Sequence, residues 1–359
     1  MFARTGLRRG LVLSLILVAC STSYAAAQQV SAVIAASARP VVWRDPGDIS
    51  ARDLRFGPGS EQFAPAPPFT FVAEDKLGES PKLKVRDARG VNWSVKLGEE
   101  AQSETVAARL VWAMGYFAEE SYYLSRAQVL NLPRLSRGQE YVEAGGVVRS
   151  VRFEPRREGV KRGANWDWEQ NPFAGTRELN GLKVMMVLLG NYDTSVRNNR
   201  IFTAGDAATG ALEDRYVVSD VGATLGKVGG LGGRRSKNSL EDFRASKFVV
   251  GVEDGVVKFD YSTKPKGMGF FASVFSPGYH KSQAKKERAM KTAPVADARW
   301  IGSMLARLSD EQLRDAFRAA GYDSATMEGY VAALRGRITQ LAQLPAASVA
   351  SAQNTGRSN

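Results

Sequence analysis

The stretch "GNYDTSVRNNRIF", Gly190 to Phe202, decides how the rest of the chain is read. It sets Asp193 and Asn198 five residues apart, directly after the apolar run "GLKVMMVLLG" (Gly181–Gly190). A second apolar run, within "RYVVSDVGATLG" (Arg215–Gly226), ends in Asp220-Val221-Gly222. Asp and Asn are turn formers, so either piece alone reads as a cap or a turn. The informative feature is the order: acid, amide, then acid-x-Gly, each delivered at the end of an apolar segment.

The chain around it is long enough for two cores. It has 359 residues, 44% of them hydrophobic, and no repeat at solenoid periods. The formal net charge is +12, which suits acidic partners such as phosphates or anionic lipid. No zinc-finger spacing, aromatic RNA-binding pattern or long basic run points to specific nucleic-acid binding. His280 is the only histidine and sits in the polar, loop-like "SPGYHKSQAKK". A Ser-His-Asp or Cys-His centre would have to use it, so hydrolase chemistry and a His/Cys zinc site lose their support.

Residues 1–28 read as an export signal: Arg4, Arg8 and Arg9 precede "LVLSLILVAC", an apolar core too short to span a bilayer. "LVAC", ending at Cys20, matches a lipoprotein box, and "SYAAAQQ" offers ordinary signal peptidase a site. The apolar core runs directly into Cys20, which favours lipidation there, hence a membrane anchor; the alternative is a free periplasmic protein. Cys20 is the only cysteine, so no internal disulfide is expected.

Residues 29–68, rich in Pro, Ala, Ser and Gly, read as a linker that could wrap the domain at "VVWRD". From residue 69, "PKLKVRD" and "VNWSVKL" alternate as two strands about "ARG". "SETVAARLVWAMGYFA" has helical spacing with Ser103 as its cap. "YYLSRAQVLNL" and "GGVVRSVRFEP" add strands. Residues 69–154 are thus a small strand-rich unit with one helix. Residues 155–344 begin with a polar connector holding Trp166 and Trp168, which could stack on a base but fit better as anchors of the loop. A buried helix follows, then a strand pair about "GDAATGALE", a Gly-rich basic stretch "LGKVGGLGGRRSKNS" and a hairpin turning at Glu253-Asp254-Gly255. Three helices close the unit, one opened by a Ser309/Gln312 capping box. Residues 345–359 read as a disordered tail.

This order of parts matches the needs of phosphoryl transfer: a flexible loop and a lysine for the phosphates, an Asp for the acceptor, and an Asn with a second Asp for the metal. The residues resemble the atypical protein-kinase-like fold, HipA-type kinases in particular and phosphatidylinositol kinases more distantly, here in an exported bacterial branch. The HipA-type loop reads Asn-x-Asp-x-His-x-x-Asn, and this chain has Asn191-Tyr-Asp193-Thr-Ser195-Val-Arg-Asn198. That family's Gly-x-x-Pro-Lys loop is matched by Gly78-Glu-Ser-Pro81-Lys82, ahead of Lys96. The resemblance covers roughly residues 75–340 as an order of motifs.

It implies an α+β, bilobal kinase-like fold with a small strand-rich N-lobe and a larger, mainly helical C-lobe. It also implies ATP and Mg2+ as cofactors: Lys82 and Lys96 on the phosphates, Glu104 pairing with Lys96, Asp193 serving the acceptor, and Asn198 with Asp220 on the metal. Glu99 and Glu100 compete with Glu104. Ser195 departs from the family's histidine. There is no His-Arg-Asp before Asn198 and no Ala-Pro-Glu after Asp220. The expectation is an exported phosphotransferase acting on an undefined acceptor. Its alternative is a pseudokinase-like module that binds a nucleotide or a partner, an option that export to an ATP-poor compartment favours.

Overall fold

Alternation of apolar and polar residues builds the first core. The computed structural model describes residues 38–76, 78, 80–156, 160–227, 236–263 and 277–345, with the side chains of 277–283 excepted. Strands β2 (Phe69–Asp75), β3 (Lys82–Arg86), β4 (Asn92–Leu97), β5 (Tyr122–Leu130), β6 (Val142–Glu143) and β7 (Val147–Pro155) form one sheet in the order β4-β3-β2-β5-β7-β6. A further pairing of β4 with β7 closes five of these strands into a ring. Phe69, Leu83, Val85, Trp93, Val95, Val151 and Phe153 turn inward and are almost fully buried. Because strand side chains alternate, Val95 and Leu97 face that interior and Lys96 faces the opposite way. Lys96 is buried nonetheless, since helix α1 (Glu100–Ala113) lies over it.

The second core is larger. It gathers the apolar faces of α1, α2 (Arg177–Leu188), α5 (Val295–Ala306), α6 (Asp310–Arg318) and α7 (Ser324–Ala342). A three-stranded sheet of β11 (Val249–Glu253), β12 (Val256–Phe259) and β13 (Thr292–Pro294) joins them. A separate sheet runs β1 (Arg39–Val41), β10 (Leu212–Val218), β9 (Asn199–Gly205), β8 (Lys161–Arg162). The remaining helices are α3 (Leu240–Ala245) and α4 (Pro277–Met290). The protein is therefore α+β.

Local sequence explains the boundaries. Thr176 caps α2, Asp323 caps α7, and Ser309 with Gln312 forms the expected capping box on α6. The β11–β12 hairpin turns at Asp254 and Gly255, both with positive φ, as a two-residue primed turn requires. Two expectations are corrected. Helix α1 starts at Glu100 rather than after Ser103, and the Ser103 hydroxyl, fully buried, donates instead to the Gly222 carbonyl at 2.7 Å. The segment around His280, expected as a loop, lies in helix α4.

The stretch expected as a linker is in large part a packed strap. Strand β1 adds to β10 in parallel register, and Ile49 and Leu54 enter the second core almost fully buried. Trp43 donates to the Met114 carbonyl (2.7 Å) and meets the Trp300 ring edge-on at 5.4 Å. Gln312 donates to the carbonyls of Ile49 and Arg52, and Tyr122 to that of Ser60. Buried Arg109 ties strap, helix and barrel together by donating to the carbonyls of Arg55, Thr105 and Ser121. Cys20 and the tail from residue 346 lie outside the described residues, as do Glu79 and residues 228–235 of the Gly-rich stretch.

Candidate active site

Only Gly98 and Glu99 separate strand β4 from helix α1, so the strand's lysine meets the helix's first two turns. Glu100 and Glu104 stand one turn apart on the helix face above Lys96. The Lys96 ammonium lies 2.7 Å from Glu100 Oε2, 2.9 Å from Glu104 Oε2 and 3.4 Å from Asp220 Oδ1. Burial alone would lower the pKa of Lys96, but Glu104, Asp220 and Glu100 outweigh it and hold the ammonium above its ordinary range. Arg152, the cross-strand partner of Lys96 on β7, reaches Glu104 Oε1 at 3.6 Å. Burial pushes the Glu104 carboxyl upward against the pull of Arg152 and Lys96. Burial would raise Glu100 as well, yet Lys96 and Lys237 draw it down to about 2.

The Asp193 loop is built from below. Asn191, fully buried, accepts the Asp193 N–H at 2.9 Å, and its carbonyl accepts the Tyr261 hydroxyl at 2.9 Å. The Asn198 side chain donates to the Asp193 carbonyl (2.9 Å), closing the five-residue loop on itself. Trp166 and Trp168 are buried anchors rather than open platforms: their indole N–H groups donate to Val217 O (3.0 Å) and Thr194 O (3.1 Å). They thereby fix the Asp193 loop and the strand leading to Asp220.

The two acidic segments lie side by side. Ser219 donates to the Asn198 carbonyl from its N–H (2.7 Å) and from its hydroxyl (3.1 Å). Tyr192 N–H donates to Ala223 O, and Leu225 N–H to Leu189 O. Gly222 packs tightly against this cluster: a Cβ there would sit 3.0 Å from Glu100 Cβ and 3.2 Å from the Lys96 ammonium, so those side chains would have to give by a few tenths of an ångström. The Asp220 side chain stays 40% exposed and that of Asn198 half-buried, so both face space that a ligand can reach.

The structure thus brings together Lys96, Glu104 and Asp220, and sets Asp193 and Asn198 on the adjoining loop. Lys82 stands beside Lys96 in the β3–β4 register, and its ammonium lies toward Gly78. Among the described residues no ion pair joins Lys82 to the carboxylate cluster. The loop before Lys82 is pinned where Arg137 donates to Gly78 O (2.6 Å) and Asp75 O (3.0 Å).

Four groups escaped sequence reading. Ser80 and Lys237 both bond Glu100, at 2.9 and 2.7 Å. Lys286, on α4, lies 3.2 Å from Asp193 Oδ1. Arg152 completes the buried ion cluster. Arg152 left a sequence signal as an arginine inside an apolar strand pattern, and Ser80 lies within the Gly78–Lys82 motif; Lys237 and Lys286 left none.

Asp220 and Asn198 offer hard oxygen donors, which suit Mg2+ when phosphate and water oxygens complete its shell. Among the described residues no group of three His, Cys, Asp or Glu side chains forms a ready metal site.

No protein-family model and no curated protein matches the chain. Among solved structures it is similar to the crystal structure of a Helicobacter pylori proinflammatory kinase, CtkA, at 12% identity, covering 76% of this chain and 95% of that chain, with a TM-score of 0.40.

Proposed function

We propose that the chain is an exported, kinase-like phosphotransferase. Its barrel would serve as the N-lobe and its helical body as the C-lobe, with ATP and Mg2+ bound between them. The observation that carries this reading is the convergence of Lys96, Glu104 and Asp220, drawn from a strand, a helix and a distant strand end, beside the loop of Asp193 and Asn198.

When bound, the metal nucleotide supplies the phosphoryl group and the charge neutralisation that the transfer needs. Lys96, oriented by Glu104, would hold phosphate oxygens, and Asp220 with Asn198 would hold the metal. An Asp193 carboxylate oxygen would orient the acceptor hydroxyl and take up its proton. The Lys286 ammonium would add positive charge where negative charge builds on the acceptor side. A cleft of about 340 Å³ lined by Trp168, Thr194, Ser195, Lys285 and Lys286 offers the acceptor a place next to that loop. Export through residues 1–28, with lipidation at Cys20, would bring the enzyme to the envelope.

The test is turnover of γ-labelled ATP with Mg2+ by the wild type and by Asp193→Asn. Positioning and proton transfer predict a loss of at least about 100-fold in the variant. Equal rates, with both proteins folded, would remove Asp193 from the chemistry.

A further inference from the structure

Glu100 is bonded in a way that helix capping does not require. Its carboxylate gathers three donors from three separate parts of the chain. Ser80, from the loop before β3, donates to Oε2 at 2.9 Å. Lys96, on β4, lies 2.7 Å from the same oxygen. Lys237, near the end of the Gly-rich basic stretch, donates to Oε1 at 2.7 Å. The same carboxylate packs against Gly222, at the foot of the Asp220 segment. Two ammonium groups and a hydroxyl converging on one carboxylate make a donor set built for an anion with several oxygens. Glu104 needs none of this, because it pairs with Lys96 through a separate contact at 2.9 Å.

We propose that Ser80, Lys96 and Lys237 form a polyphosphate subsite, and that Glu100 occupies it as an internal stand-in that an incoming polyphosphate must displace. The inference rests on the nucleotide reading above and adds two things to it: Lys237 as a phosphate-binding residue, and a self-inhibited resting state. Displacement has a ready path. Glu100 is in the first turn of α1, its side chain is 16% exposed, and rotation toward solvent leaves the Glu104–Lys96 pair in place. The closed state sets a threshold, since the apparent affinity falls by the fraction of molecules in which the subsite is open.

This differs from the ordinary role of a glutamate that positions a lysine, and the two roles predict opposite signs. A positioning glutamate, once neutralised, weakens phosphate binding; a stand-in, once neutralised, strengthens it. The experiment is calorimetric titration of pyrophosphate, and separately of ATP with Mg2+, into the full chain and its Glu100→Gln and Glu100→Ala variants, with folding checked by circular dichroism. Pyrophosphate should bind both variants about 10-fold more tightly than wild type, and adding Lys237→Met to Glu100→Gln should abolish that gain. Unchanged or weaker pyrophosphate binding in whichever variants fold overturns the proposal. Tighter pyrophosphate binding without any ATP binding supports the subsite while ending the nucleotide reading.

Discussion

Replacing Lys96 by Met keeps the length and packing of the side chain and deletes its charge. Lys96 is 4% exposed and touches three carboxylates within 3.4 Å. Breaking a buried ion pair by removing one partner costs about 3–5 kcal/mol, because the other charge is left uncompensated. Two compensations remain here. Glu104 keeps Arg152 at 3.6 Å, and Glu100 keeps Lys237 at 2.7 Å. The loss should therefore fall at the low end, about 3 kcal/mol, a large share of the 5–15 kcal/mol typical of a domain.

The pH dependence has a definite sign. Burial already raises Glu104 above its unfolded value, and losing the ammonium raises it further. A carboxyl with a raised folded pKa costs nothing below its unfolded pKa, and its cost grows as pH rises above that value. The deficit of Lys96→Met should thus be smaller at pH 4.5 than at pH 8 and should widen between the two. Urea unfolding followed by circular dichroism at several pH values measures it. A loss under about 1 kcal/mol, or a deficit that shrinks as pH rises, would refute the buried-cluster reasoning.

Other outcomes follow from the same contacts. Ile49→Ala, in the strap, should cost about 2–5 kcal/mol in chemical denaturation, as for other fully buried isoleucines; a change within 0.5 kcal/mol (about the surface norm) would show the strap to be loosely attached. Glu100, held at about 2 when folded, contributes stability that is present above its ordinary value of 4.5 and lost as pH falls toward 2. The stability gap between wild type and Glu100→Gln, about 3 kcal/mol at neutral pH by linkage, should therefore close over that window; a gap independent of pH would remove the ion pairs from the account. On the separate proposal that residues 1–28 direct export, Cys20→Ala should abolish globomycin-sensitive processing of the precursor, whereas normal maturation of the variant would assign cleavage to ordinary signal peptidase.

What could be read from sequence depended on the range of the interaction. Strands β3 and β4 and the helix after them follow from local alternation and periodicity, and the hairpin at Asp254-Gly255 follows from turn chemistry. The sequence offered Glu99, Glu100 and Glu104 to Lys96 without separating them, because eight residues to Glu104 require the strand to lead almost directly into the helix; the fold does so and brings both Glu100 and Glu104 to the ammonium. Ser103 misled for a physical reason: a serine near a helix start caps it unless a tertiary partner claims the hydroxyl, and Gly222 does. The strap looked like a linker because its Pro, Gly and Ser content masks a few anchors, Trp43, Ile49 and Leu54, whose burial is decided by distant helices. Lys237 and Lys286 had no signature at all. Each is a lysine in a polar run, and only the fold brings it to Glu100 or Asp193.

The proposed function requires Lys96 and Asp220 to hold a metal-bound polyphosphate between them. Calorimetric titration of ATP into the full chain, with and without Mg2+, for the wild type and for Asp220→Ala, tests it most directly. Mg2+ should strengthen ATP binding by the wild type, and Asp220→Ala should lose that Mg2+ dependence. Binding indifferent to Mg2+ in both proteins, or no ATP binding by a folded wild type, would contradict it.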